Sequence, residues 1–102
     1  MDTPYHPPVK HSLSIHGHRT SISLEPLFWE LLHAAAARAG LPLSTLVARI
    51  DAERIRAKTP PGLASAIRIW LIAELQAQLR SAKQKGAGIA PDALSGVDLK
   101  DQ

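Results

Sequence analysis

The chain lacks cysteine, long apolar runs and an N-terminal signal pattern. With no cysteine among 102 residues, neither a disulfide framework nor a cysteine-based zinc site can support the fold. No apolar run reaches roughly 18 residues, the length that suggests a membrane span, because Arg68 and Glu74 interrupt the most hydrophobic stretch. The opening residues, MDTPYHPPVKHS, do not follow the basic-then-apolar order of a signal peptide. We therefore expect a soluble, cytoplasmic protein whose stability comes from packing alone.

The sequence also lacks the motifs of a catalytic site. It has no glycine-rich phosphate loop, no cysteine nucleophile and no serine motif with an evident base and orienting group. His16 and His18, with His6 and His11 nearby, have no carboxylate or thiol partner close to them in the sequence, so we expect structural or hydrogen-bonding roles for them. We expect no enzymatic activity, no metal and no cofactor.

The composition offers a small apolar core and a mild basic bias. Apolar residues make up 45% of the chain, but a monomer of this size has a marginal core, so we expect burial across a subunit interface. Twelve Lys and Arg residues against nine Asp and Glu residues give a formal charge of +3, which becomes twice +3, or +6, in a dimer. This charge is compatible with a nucleic-acid partner without requiring one.

Two short alternating segments near the N-terminus predict β-strands. After a flexible arm of residues 1–11, residues 12–15 (SLSI) alternate polar and apolar side chains, and residues 20–24 (TSISL) do the same. Gly17, between them, is suited to the positive φ of a turn. The edges of a lone strand must be paired, either by another segment of this chain or by a second copy of it, and the sequence leaves both alternatives open.

The second of these strands has two unlike faces. Ile22 and Leu24 point to one side, together with Thr20. The opposite side carries small polar and charged residues: Arg19, Ser21, Ser23 and Glu25.

Apolar residues at helical spacing predict two helices after the strands. The first covers residues 25–39 and ends at Gly40. The second begins near Pro42, which suits a first turn, and the hydroxyl groups of Ser44 and Thr45 can bond to free amides there.

A third helix completes the predicted domain. It extends from residue 63 or 64 to about residue 83 and is apolar around much of its circumference, so we expect it to be sandwiched between other elements. The domain should cover residues 12–85, and the aperiodic residues 86–102 should form a disordered tail.

The order strand, helix, glycine-containing turn and helix over residues 18–56 resembles the ribbon-helix-helix family of DNA-binding proteins, which includes the Arc and methionine repressors. The ribbon sequence TSISL, Gly40 and the sequence STLV at 44–47 are the matching parts. In addition, GHRTSISLEPLFW at 17–29 and GLASAIRIWLI at 62–72 are similar to a bacterial subgroup of short proteins with this domain, characterised mainly as predicted DNA binders. The resemblance implies a mainly α fold with a short N-terminal strand or hairpin and a third, C-terminal helix, assembled as a homodimer.

The resemblance also implies a function. The strand would pair antiparallel with its copy in the second subunit, and this ribbon would enter the major groove of double-stranded DNA, as in a sequence-specific transcriptional repressor. Arg19, Ser21 and Ser23 would contact base edges. The phosphate contacts would come from the start and middle of the second helix: Leu43, Ser44, Thr45 and Arg49. The basic residues that follow, Arg54, Arg56 and Lys58, suit either phosphate contact or the helix dipole.

The homodimer interface should involve the inward strand face and the second and third helices. We predict that it is formed by Ile22, Leu24, Leu46, Val47, Ile50, Ile67, Trp70 and Leu71. Trp70 is the expected anchor, because aromatic residues at helical spacing are more often core or interface anchors than the lining of a ligand pocket.

A second hypothesis remains open, a dimeric protein-interaction or scaffold module that does not bind DNA and engages an unidentified protein. Glu25 would repel a nearby phosphate, and Pro42 replaces the polar cap of many family members. The pairing of residues 12–15 discriminates between the two hypotheses. A hairpin within the chain that covers the ribbon favours the scaffold, because a groove that accepts two strands is narrow for four, whereas an exposed two-stranded ribbon favours DNA binding.

Overall fold

The computed structural model describes the backbone of residues 5–87 and the side chains of residues 5–84. Five elements follow one another: β1 (Val9–Ile15), β2 (His18–Leu24), α1 (Pro26–Ala39), α2 (Leu43–Arg54) and α3 (Leu63–Ala87). The predicted fold, a strand or hairpin followed by three helices, is confirmed.

Both ends of the folded region extend further than the sequence predicts. β1 begins at Val9, so the predicted arm of residues 1–11 ends earlier. α3 continues to Ala87, into the predicted tail of residues 86–102. The rest of that tail, together with residues 1–4 of the arm, lies outside the described residues.

The chain divides into two compact units, Met1–Ile72 and Ala73–Gln102. The first unit contains the sheet, α1, α2, the first part of α3 and the buried apolar side chains of the described residues. In the second unit the described residues are all helical, and the side chain of Leu79 is 70% exposed. The apolar core of the described chain therefore lies in the first unit.

β1 and β2 form an antiparallel hairpin. Every residue of β1 has a partner in β2, and Ile15 lies opposite His18 beside the turn. The two turn residues, His16 and Gly17, have positive φ angles of 52° and 80°, as a type I′ turn requires. One edge of β2 is therefore paired within the chain.

α1 and α2 pack on the inward face of this hairpin. α2 lies against β1, and α1 contacts both β2 and α2. Burial of a Leu, Val or Ile side chain contributes about 1.5–3 kcal/mol to stability. The least exposed large side chains come from β2 and from all three helices: Leu24, Leu32, Val47, Ile67 and Leu71. These side chains belong to one apolar cluster that contains residues of the sheet and of all three helices.

The connection between α1 and α2 follows the local sequence. Gly40 adopts the left-handed conformation with φ 68°, and the amides of Gly40 and Leu41 donate to the carbonyl groups of Ala37 and Ala36. These two bonds close the end of α1, as the glycine predicts.

The predicted side-chain capping of α2 does not occur. Pro42 precedes the first turn rather than lying in it, and no side-chain hydrogen bond caps the helix. Instead, the carbonyl oxygen of Pro42 accepts bonds from the amides of Thr45 and Leu46, each at 3.1 Å.

Trp29 fastens β1 to α1. Its indole Nε1 donates a hydrogen bond of 2.9 Å to the carbonyl oxygen of Val9. The imidazole of His11 meets the same indole edge to face, with ring centroids 4.7 Å apart and an interplanar angle of 71°. These contacts hold the start of β1 in the sheet, and local sequence patterns cannot predict them because their partners are many residues apart.

Candidate nucleic-acid interface

The outward face of the hairpin carries six side chains in three directly opposed pairs. Alternation along the strands places them on the side that faces away from the helices. The pairs are Lys10 with Ser23, Ser12 with Ser21, and Ser14 with Arg19. Ser23 is half-buried and the other five are exposed. Two cations, four hydroxyl groups and no carboxylate lie on this face, which suits a polyanionic ligand.

Neither cation on the outward face is used to hold the fold. Within residues 5–84, the side chains of Lys10 and Arg19 make no hydrogen bond and no ion pair. Both are therefore available to an external anion.

Sequence reasoning identified half of this face. Arg19, Ser21 and Ser23 lie on the side that the alternation of β2 predicts, opposite the buried residues of that strand. The contribution of β1 was missed, because Lys10 fell in the predicted arm and His11 interrupts the alternation.

The second edge of β2 is open. In a hairpin with a two-residue turn, the pair beside the turn is hydrogen-bonded, and hydrogen-bonded and non-hydrogen-bonded pairs alternate from there. The backbone N–H and C=O groups of Arg19, Ser21 and Ser23 therefore point away from β1. The sheet has two strands among residues 5–87, so no third strand in this part of the chain satisfies these groups.

At the predicted phosphate site at the start of α2, two of the three backbone amides are available as hydrogen-bond donors. Leu43, Ser44 and Thr45 form the first turn, where amides lack partners within the helix. The Thr45 amide already donates to Pro42, which leaves those of Leu43 and Ser44 for an anion. Arg49 is exposed and has no ionic partner in the described part of the chain.

Arg54 is committed to its own chain. Its guanidinium bonds to Oδ1 of Asp51 at 2.8 to 2.9 Å and to the carbonyl oxygen of Pro61 at 3.1 Å. These bonds close the loop after α2. Of the three basic residues at this end of the helix, Arg56 and Lys58 are the exposed ones.

Asp51 also faces the turn of the hairpin. Its Oδ2 lies 3.9 Å from Nε2 of His16, which places the turn beside α2.

Across the residues that the structure describes, no three His, Cys, Asp or Glu side chains form a group that could hold a metal ion.

The charge of Glu25 is compensated. Its Oε1 accepts a hydrogen bond of 2.9 Å from Nε of Arg68, and Nη2 of the same guanidinium lies 2.8 Å from it in an ion pair. The backbone amide of Glu25 and then Arg68 lower the pKa of this carboxyl group below its ordinary value of 4.5. The guanidinium of Arg68 also lies 5.6 Å above the ring centre of Phe28. The expected repulsion of phosphate by Glu25 is therefore offset by an ion pair that the sequence did not predict.

Most of the side chains predicted for the dimer interface lie in the chain's own core. Buried in this way are Ile22, Leu24, Leu46, Val47, Ile50, Ile67 and Leu71. Trp70 is half-buried, and its neighbours Ile69 and Ile72 are 63% and 46% exposed. Contact of these residues with a second copy of the chain stays a prediction.

None of the helices in residues 5–87 is by itself long and apolar enough to cross a membrane. α1 and α2 meet that criterion only as a pair, bent by 99°.

Comparison with known proteins indicates one family. A family model described as a ribbon-helix-helix domain matches residues 8–75, from the start of β1 into α3. Curated proteins and solved structures gave no match. Ribbon-helix-helix domains in general are DNA-binding regulators rather than enzymes. The match covers the hairpin, α1, α2 and the first part of α3, and the chain therefore belongs to the ribbon-helix-helix family.

Proposed function

We propose that the protein is a sequence-specific DNA-binding transcriptional repressor that acts as a homodimer in the bacterial cytoplasm. The observation that carries this proposal is the outward face of the hairpin, where four serines lie with two cations, neither of which has an ionic partner among residues 5–84, and no carboxylate lies among the six opposed side chains. Membership of the ribbon-helix-helix family supports the same ligand, because the family's repressors read DNA with β-strands.

We assign the contacts with the base edges to β2. The major groove of B-DNA admits a two-stranded β-ribbon, and the outward side chains of such a ribbon reach the base edges. Arg19 donates bidentately to guanine, and the hydroxyl groups of Ser21 and Ser23 pair with several bases. Each good contact contributes roughly 1–3 kcal/mol of discrimination between sequences.

The homodimer forms at the open edge of β2. Antiparallel pairing with the copy in the second subunit satisfies the backbone groups of Arg19, Ser21 and Ser23 and gives a sheet in the order β1-β2-β2-β1. A closed edge also removes a site for aggregation. The half-buried Trp70 on α3 anchors the contact between the two subunits.

The start of α2 positions the protein on the DNA backbone. The free amides of Leu43 and Ser44 bind a phosphate at the positive end of the helix, with Thr45 beside them. Arg49 adds a charge to the same helix. These contacts fix the orientation of the dimer and carry no sequence information.

A second candidate is a dimeric protein-interaction module. The intrachain hairpin favours it, because a ribbon covered by an N-terminal strand is the expected form of such a module. The exposed Ile69 and Ile72 on α3 also suit a protein partner. β1 covers one edge of β2, however, and leaves its outward face and its second edge uncovered. We rank DNA binding first, because a protein partner for α3 does not account for the cationic hairpin face.

Enrichment of DNA fragments separates the two candidates. A mixed pool of bacterial genomic fragments is incubated with wild-type protein, with Arg19→Ala or with the charge-matched control Arg80→Ala, and the retained fragments are sequenced. We expect the wild type and the control to enrich the same fragments and Arg19→Ala to lose that enrichment. Retention without sequence preference would contradict specific binding, and no retention by the wild type would favour the interaction module.

A further inference from the structure

The outward residues of β1, which are Lys10, Ser12 and Ser14, have no part in the base readout proposed for β2. They lie directly opposite residues that do, in a register fixed along the whole hairpin. Opposed side chains in such pairs are about 4.5–5.5 Å apart at Cβ. A duplex that meets the outward side of β2 is therefore also met by β1.

The width of the sheet decides which part of the duplex β1 meets. In the proposed dimer the two β2 strands are central and the two β1 strands are outermost. Neighbouring strands are about 4.8 Å apart, so the outer strands are separated by about 14 Å. The major groove is about 12 Å wide. The β1 strands therefore lie over the sugar–phosphate rims while the β2 strands lie over the bases.

The side chains of β1 suit a phosphate. Lys is a flexible point charge that pairs with phosphate without base selectivity, and serine hydroxyl groups donate to phosphate oxygens. Lys10 is exposed and has no ionic partner within the described residues. The carbonyl oxygen of the preceding residue, Val9, accepts a hydrogen bond of 2.9 Å from Nε1 of Trp29. Lys10 therefore lies on a strand that is fixed to α1.

We propose that Lys10, Ser12 and Ser14 form a second, sequence-independent contact of each subunit with the phosphate backbone, one strand away from the base-reading residues. This inference rests on the proposed DNA-binding function. It assigns the two strands of one hairpin to different parts of the duplex, phosphates for β1 and bases for β2.

The test compares Lys10→Ala with Arg19→Ala on two DNAs of equal length. One is a fragment enriched by the wild type and the other is an unrelated fragment, and binding is measured by fluorescence anisotropy over a series of salt concentrations. We expect Lys10→Ala to weaken binding to both DNAs by the same factor and to reduce the salt slope by about one per subunit. Arg19→Ala should instead lower the ratio of the two affinities. Lys10→Arg, which keeps the charge, should retain the wild-type slope.

The outcomes separate this inference from the proposed function. A Lys10→Ala protein with wild-type affinity and slope, next to an Arg19→Ala protein with reduced specificity, would overturn the inference and leave the proposed function standing. A change in the affinity ratio for Lys10→Ala would also overturn it, because Lys10 would then read bases. Circular dichroism of each variant checks the fold, and absence of wild-type binding to either DNA at low salt would overturn both proposals.

Discussion

At the scale of single residues, Glu25 brings a carboxylate next to the end of β2. The sequence places it at the end of the outward strand face, where a carboxylate opposes a phosphate ligand. In the folded chain it precedes the first turn of α1 and pairs with Arg68, which lies 43 residues away. An ion pair over this separation follows from the packing of α3 and has no local signal, so the sequence alone could not predict it.

The lowered pKa of Glu25, which its own backbone amide and then Arg68 cause, predicts a pH dependence of stability. Because the pKa of Glu25 is lowered in the folded state, its contribution is present above the ordinary value of 4.5 and is lost as the pH falls through the folded-state value. We expect Glu25→Gln to lower the urea midpoint near neutral pH and to differ little from the wild type well below pH 4.5. The check is urea unfolding of both proteins at the two pH values. A difference that grows toward acid would contradict the sign of this shift.

At the scale of secondary-structure elements, local sequence patterns predicted the faces of β2 and the end of α1 but not the full length of β1. Alternation assigned the two faces of β2 correctly, and Gly40 marked the end of α1, because both signals depend on neighbours within a few residues. The start of β1 depends instead on the bond from Trp29 to Val9. The side-chain alternation of β2 is the same whether its edges pair with another segment of the chain or with a second copy, so the sequence could not decide between them.

The hydrogen bond from Trp29 to Val9 predicts that Trp29 stabilises the start of β1. Trp29→Phe keeps an aromatic ring but removes the donor to Val9, and we expect a loss of roughly 1–3 kcal/mol in the free energy of unfolding. Hydrogen exchange should rise first at the amides of Val9 and His11, which bond across the hairpin to β2 and which the lost contact frees. Trp70→Phe is the matched control, because Trp70 is half-buried and makes no hydrogen bond within the described residues. Equal exchange at Val9 and His11 in both variants would contradict the anchoring role.

For the whole molecule, the main question is which surface joins two copies. The chain buries most of the predicted interface residues in its own core, and within residues 5–87 the second edge of β2 has no paired strand. A second copy paired at that edge doubles the formal charge of +3 and presents two hairpins to one duplex. Symmetry of this kind matches a pseudo-palindromic site.

Two proline variants test the edge directly. The amide of Ser21 points to the open edge of β2, and the amide of the opposed Ser12 points to the outer edge of β1. We expect Ser21→Pro to be monomeric by light scattering, because proline removes a donor that the dimer needs. Ser12→Pro introduces the same residue at the opposed position and should stay dimeric. If both variants are dimers with unchanged circular dichroism, the subunits join elsewhere, and the exposed residues of α3 become the candidate surface.

The central claim is that the hairpin face binds DNA as part of a dimer. The most direct measurement is a salt titration of wild-type binding to mixed genomic DNA fragments by fluorescence anisotropy, on protein whose mass in solution is checked by light scattering. We predict a dimer for which the logarithm of the DNA affinity falls linearly with the logarithm of the salt concentration, since neutralised phosphates release counterions. A clean dimer with no DNA affinity at low salt would contradict the account and would leave the protein-interaction module as the better explanation.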